Sequence, residues 1–209
     1  MEKRKAILEL AKKYDVIILE DNPYGELRFS GEDVPTIKSL DTDGRVVYCS
    51  SFSKILSAGM RIGFVCGPKE LVQKIVVVKQ VNDVHTPCLT QMIACEFLKR
   101  YNIDDYIKKS CEVYGRKCRF MLDCMDKYFP KNGVEWTKPE GGLFILVTCP
   151  ETIDAVELSK IAIQKYKVAF VPASNFATDM SKTTCSFRLN YSMMPEEKLS
   201  RVSKQSAIC

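Results

Sequence analysis

The sequence is nearly without histidine: His85 is the only one in 209 residues. Its ten cysteines (Cys49, Cys66, Cys88, Cys95, Cys111, Cys118, Cys124, Cys149, Cys185 and Cys209) include no CxxC pair. A Cys/His zinc site is therefore poorly supported, and most of the cysteines read as small hydrophobes in apolar runs. No apolar run approaches the roughly 20 residues of a membrane-spanning helix. The first ten residues are charged and lack the apolar core and cleavage site of a signal peptide. No Lys/Arg block interleaves with aromatics, which argues against nucleic acid as a partner. There is no internal repeat and no low-complexity linker. The expectation from these absences is a cytoplasmic protein, and unpatterned cysteines suit a reducing compartment.

What is present is ordinary for a globular chain: 46% hydrophobic and 27% charged residues. The net charge of +5, from 31 basic against 26 acidic residues, is spread along the chain. It suits an anionic small molecule, and it equally serves solubility.

Hydrophobic periodicity predicts an amphipathic helix over residues 2–13, with Ile7, Leu8 and Ala11 on one side. Val16–Leu19 is a short continuous apolar run, as in a strand buried on both faces. Arg45–Cys49 and Ile62–Cys66 read as two further buried strands, and 69–81 as a helix after Gly67-Pro68. Helix followed by short buried strand is the pattern of an α/β sheet. Residues 88–129 then carry long helical periodicity, ended by a break at Pro130–Gly133. Strand signals follow at Val134–Thr137, Leu143–Thr148, Val168–Val171 and Cys185–Tyr191, with a helix over 153–165. The boundary is placed near residue 85: 1–85 is one α/β part, and 86–209 a smaller α+β part.

The stretch richest in chemistry is Ser50-Ser51-Phe52-Ser53-Lys54-Ile55-Leu56-Ser57-Ala58-Gly59-Met60-Arg61-Ile62-Gly63. A buried strand runs into a serine-rich turn that presents a lysine. Hydroxyls and a guanidinium near one turn supply donors and positive charge together, as a phosphate requires. A lysine beside a phosphate site can form an imine with a bound aldehyde, provided desolvation or a cationic neighbour such as Arg61 activates it. Each piece alone is common; the full spacing Ser-x-Ser-Lys-x4-Gly-x-Arg-x-Gly is restrictive. Upstream, Asp21 ends a parallel-type strand, where open α/β sheets bind ligands. A carboxylate there can pair with a protonated pyridine nitrogen, and the phenol of Tyr24 with a ring oxygen. Asp-Asn-Pro opens a turn equally well.

Near the C-terminus, Ser186-Phe187-Arg188-Leu189-Asn190-Tyr191-Ser192 puts Phe187, Leu189 and Tyr191 on one strand face and Arg188 and Asn190 on the other. Spacing alone favours a solvent-facing arginine. Gly141 and Gly142, in Pro139–Phe144, let backbone approach a ligand or make a tight hairpin. His85, between Asn82 and Pro87, reads as a loop or packing residue.

Glu20-Asp21-Asn22-Pro23-Tyr24, Ser51-Phe52-Ser53-Lys54 and Gly59-Met60-Arg61-Ile62-Gly63 together resemble the class I/II aminotransferases. These have the aspartate aminotransferase fold (fold type I). The run from Asp21 to Phe29 is closest to the aminoadipate/kynurenine-type enzymes and the aminotransferase-like domains of MocR regulators. The resemblance implies a pyridoxal 5′-phosphate (PLP) enzyme that moves an amino group between an amino acid and a 2-oxo acid. It implies Lys54 as Schiff base lysine and proton shuttle, and Asp21 on the pyridine nitrogen. Tyr24 would hold the ring hydroxyl, and Ser51, Ser53 and Arg61 the phosphate. Arg188 resembles the arginine that clamps the substrate carboxylate. Ala58 departs from a proline common in the family.

By the same resemblance the fold is α/β: part of the PLP-binding large domain over 1–85, with a mostly parallel sheet, and the small C-terminal domain over 86–209. Family members are homodimers of roughly twice this length. A Gly-rich helix N-terminus, a stacking aromatic and an asparagine would be expected before residue 1. The chain is thus expected to be N-terminally truncated, with sheet edges that need a complementary chain. The final helix after Pro195 also looks shortened. The rival readings are another fold type I PLP enzyme (a lyase or decarboxylase) and an inactive fragment or MocR-like effector domain.

Overall fold

The computed structural model describes residues 1–130 and 132–198, which divide into two compact units, Met1–Ser110 and Cys111–Cys209. Among the described residues, no helix is long and apolar enough to cross a membrane.

The first unit begins with α1 (Glu2–Lys13), which carries an acidic residue in its first turn and lysines in its last, complementing the helix dipole. Leu8 and Ala11 are its buried residues, while Ile7 is exposed. Strands β1 (Ile18–Asp21), β2 (Val46–Ser51) and β3 (Gly63–Cys66) form a sheet in that order. β1 runs parallel to β2, and β2 antiparallel to β3. A short turn rather than a crossover helix joins β2 to β3, and such a link permits only the antiparallel pairing. β2 is the central strand, and its Val46 and Val47 are buried.

The outer strands differ from the both-faces-buried expectation. β1 alternates half-buried and exposed residues, with Leu19 at 68% exposure, and β3 is exposed throughout. An apolar run states what a strand can bury, not whether both of its faces are covered. α2 (Lys69–Asn82) and α3 (Cys88–Arg100) follow. α2 has no buried residue, and Val81 is 84% exposed.

Between β1 and β2 the chain makes a long loop, held from both ends. Both oxygens of Glu20 accept backbone N–H groups, from Ile37 and Lys38, at 2.8 Å. The Asp41 carboxylate accepts from the N–H groups of Gly44, Arg45 and Val46 and from Lys38 Nζ at 3.0 Å. Burial pushes its pKa up, but the hydrogen bonds from Lys38, Val46 and Arg45 win and leave it well below the usual carboxylate range.

The single helical stretch expected over 88–129 is two helices, α3 and then α4 (Ile103–Tyr128), divided at Tyr101-Asn102. In α4, Cys111, Gly115, Cys118, Met121, Cys124 and Met125 are buried at helical spacing. The second unit's sheet has the order β4 (Glu135–Trp136), β5 (Phe144–Thr148), β7 (Ser186–Asn190) and β6 (Val171–Pro172), antiparallel throughout. Helix α5 (Ala155–Ile161) opens with Asp154, which accepts from the Val156 N–H at 2.8 Å, a side-chain N-cap. One π turn, Ala162–Tyr166, extends it one residue past the expected end. Ile145, Val147, Phe187, Leu189 and Tyr191 fill the core. The helix expected after Pro195 runs into residues 199–209, which lie outside the described residues.

Among the described residues, no two cysteines form a disulfide. Those of α4 named above pack as expected, while Cys66, Cys88 and Cys95 are exposed.

Candidate active site

The C-terminal end of β2 organises the first unit's chemistry. Ser51 pairs with Gly63, and the chain between them folds into a turn closed by the Leu56 and Ser57 N–H groups on the Phe52 carbonyl. Ile55 is buried and pins this turn, and Lys54 sits half-buried beside it. β2 and β3 approach closely where the turn begins and ends: a Cβ on Gly63 would meet the Ser50 carbonyl at 2.9 Å. Only glycine fits there without displacing backbone.

The Ser51 hydroxyl accepts the Ser53 N–H at 3.0 Å and donates to the Ile62 carbonyl at 3.3 Å. It therefore braces the turn. The Ser53 hydroxyl instead faces the Arg61 guanidinium, which donates to it at 3.4 Å. Arg61 reaches back because its backbone is left-handed, with φ 53° and ψ 45°. That conformation costs a non-glycine residue about 1–3 kcal/mol. The serine-rich turn is legible in the sequence, but its left-handed residue carries no signal there.

Asp21 lies at the end of β1, exposed, directly across from Cys49. The following Asn22 is held on both sides. Its N–H donates to the Cys49 carbonyl at 2.9 Å, and its own carbonyl accepts from Ser50 Oγ at 3.1 Å. Tyr24 follows, and Lys54 Nζ stands 5.8 Å from the centre of its ring. The β1 and β2 ends thus bring Asp21, Tyr24, Ser51, Ser53, Lys54 and Arg61 into one unit, with Lys54 and Tyr24 in contact.

This donor set fits a phosphorylated pyridine aldehyde. A hydroxyl and a guanidinium converge beside an amine, and a carboxylate ends the neighbouring strand. Among the described residues, no carboxylate pairs with Lys54 or Arg61.

Arg188 belongs to the second unit. It lies on β7, half-buried, between Phe187 and Leu189, which enter the core. Its guanidinium carbon is 4.0 Å from the ring centre of Phe144 and 4.4 Å from that of Phe176. The Gly141-Gly142 turn is tied to the same strand's end, since the buried Tyr191 hydroxyl donates to the Gly142 carbonyl at 2.7 Å. Gly142 has φ 75°, which favours glycine. Burial pushes the Tyr191 phenol well above its usual pKa. Sequence reasoning placed Tyr191 on the core face but missed this tie. It also missed both rings over Arg188; Phe144 stood in the Gly-Gly motif, whereas Phe176 carried no signal.

The family described as aminotransferase class I and II matches residues 1–205. The aromatic-amino-acid aminotransferase 1 of Thermococcus litoralis is 42% identical over 99% of this chain and 49% of its own length. The mitochondrial kynurenine/alpha-aminoadipate aminotransferase of Rattus norvegicus is 32% identical over 99% and 49%. The crystal structure of a Pyrococcus horikoshii kynurenine aminotransferase, in complex with PMP, superposes with a TM-score of 0.94. It is 38% identical, over 100% of this chain and 51% of that one. The chain spans about half the length of the curated relatives it matches.

Proposed function

The chain belongs to the class I and II aminotransferase family, and from that premise we propose that it carries the cofactor lysine of a PLP-dependent aminotransferase. The reaction moves an amino group between an amino acid and a 2-oxo acid. The observation that carries this reading is the single turn in which Ser53 and Arg61 meet beside Lys54.

PLP supplies, when bound, an aldehyde that captures amines and a ring that draws electrons from the substrate's α-carbon. The remaining roles belong to the chain. Ser53 and Arg61 bind the phosphate, and Ser51 orients Ser53 through its backbone. Asp21 keeps the ring nitrogen protonated, and the Tyr24 phenol donates to the ring oxygen. Lys54 would hold the cofactor through Nζ, and as a free amine the same nitrogen would serve as the base that takes the substrate's α-proton. Arg188 takes the substrate carboxylate through two parallel N–H donors. Residues 1–85 then count as the C-terminal part of the PLP-binding large domain, and 86–209 as the small domain. The reading extends to a homodimer, as the family resemblance implies, and to the cytoplasmic location that the unpatterned cysteines suit.

Titration of the 209-residue chain with PLP tests this. The expected result is a visible absorbance band that Lys54→Ala loses, with amino transfer that requires a 2-oxo acid acceptor. Product formed without an acceptor would indicate a lyase or decarboxylase. An unchanged spectrum in the wild type would overturn cofactor binding by this chain.

A further inference from the structure

Alternation along β7 gives Arg188 a face apart from the core. It stands opposite Leu146 on β5 and opposite Val171 on β6. One step along the same face of β5 is Phe144, a diagonal neighbour, within reach of a long side chain. Past β6 the chain turns straight into a short 3-10 helix, Ala173–Phe176, whose last residue is the second ring. Two elements thus deliver Phe144 and Phe176 to one guanidinium, at 4.0 and 4.4 Å. Among the described residues, no hydrogen bond or ion pair engages the Arg188 side chain.

A guanidinium over an aromatic ring engages through its flat face, which leaves its N–H donors free in the plane for a planar acceptor. An unrestrained arginine loses rotamer freedom when it binds; one already stacked has lost it beforehand. We infer that Phe144 and Phe176 are positioning residues, holding Arg188 so that its N–H edge meets the carboxylate of an amino or 2-oxo acid. This rests on the reading of Arg188 as the carboxylate anchor.

The test uses the 209-residue chain labelled with 15N-arginine and titrated with pyruvate, a small 2-oxo acid. The Nε–Hε signal of Arg188, assigned by its loss in Arg188→Gln, is the readout. In the wild type it is displaced by the ring currents and moves on pyruvate binding. Phe176 is 55% exposed, so its replacement leaves the core intact. Phe176→Leu is expected to reduce the ring-current displacement and to weaken pyruvate binding by about twofold to fivefold. Phe176→Tyr is expected to restore both. Unchanged affinity in Phe176→Leu and Phe144→Leu, with binding lost in Arg188→Gln, overturns the clamp and leaves the anchor standing. A Phe176→Tyr variant as weak as Phe176→Leu also overturns the clamp, because the ring would not be the cause. Undiminished pyruvate binding in Arg188→Gln, or a wild-type signal that ignores pyruvate, overturns the anchor and the clamp with it.

Discussion

The two units bury their apolar residues very differently. In the second, α4 contributes a continuous buried stripe from Cys111 to Met125, and every strand of three or more residues keeps one face inside. In the first, burial is concentrated at β2, at Leu8 and Ala11 of α1, and at a few loop residues such as Leu27 and Ile55. β3 and the whole of α2 contribute nothing to it, and Val77, Val78 and Val81 lie open. The lysine turn belongs to the open unit and the arginine strand to the closed one. Hydrogen bonds and one central strand hold the lysine turn, whereas a packed core backs the strand that carries Arg188.

Core truncation should give the largest contrast. Ile145→Ala in the second unit removes a fully buried side chain and should cost about 2–5 kcal/mol. Val77→Ala on α2, at 63% exposure, should stay within about 0.5 kcal/mol. Urea denaturation measures both, and equal losses would break the comparison.

Next in size is Asp41→Asn, which strips the first unit's loop of its charged acceptor. The expected loss at neutral pH is about 1–3 kcal/mol. A carboxyl whose pKa is lowered by folding stabilises the fold above its unfolded value, and that contribution disappears as pH falls through the folded value. The gap between wild type and Asp41→Asn should therefore be full at pH 7 and shrink below about pH 4. A gap that grows on acidification would contradict the assignment.

Tyr191→Phe keeps the ring packed and removes the hydroxyl with its hydrogen bonds to the Gly142 and Gly141 carbonyls and to Cys118. It should cost about 0.5–1.5 kcal/mol and speed amide exchange in the Gly141–Leu143 turn. Smallest of all, Val81→Ser should leave stability unchanged while lowering the binding of a hydrophobic dye, since that side chain is already in solvent.

Much of the fold was legible because its signals are local. Helical periodicity marks α4, the Gly67-Pro68 break marks the start of α2, an apolar run marks β5, alternation marks β7, and Pro130–Gly133 marks the break between helix and sheet. The lysine turn was legible because Ser51, Ser53, Lys54, Arg61 and Gly63 are close in sequence. What escaped depends on long-range or backbone facts. The exposure of Leu19 depends on what covers a face, which no run of residues encodes. The left-handed backbone of Arg61 has no composition signal, since glycine would be the ordinary choice there. Phe176 reaches Arg188 only through the β6–β7 pairing.

If the turn at the end of β2 is the cofactor site, Lys54, among the many surface lysines, is the amine that meets PLP. Incubating the 209-residue chain with PLP, reducing it with borohydride and mapping the pyridoxyl adduct by mass spectrometry tests it directly. The adduct is expected to concentrate on Lys54, to be lost from that peptide in Lys54→Ala and to be diminished in Arg61→Ala. Adducts scattered over exposed lysines, with Lys54 no richer than the rest, would contradict it.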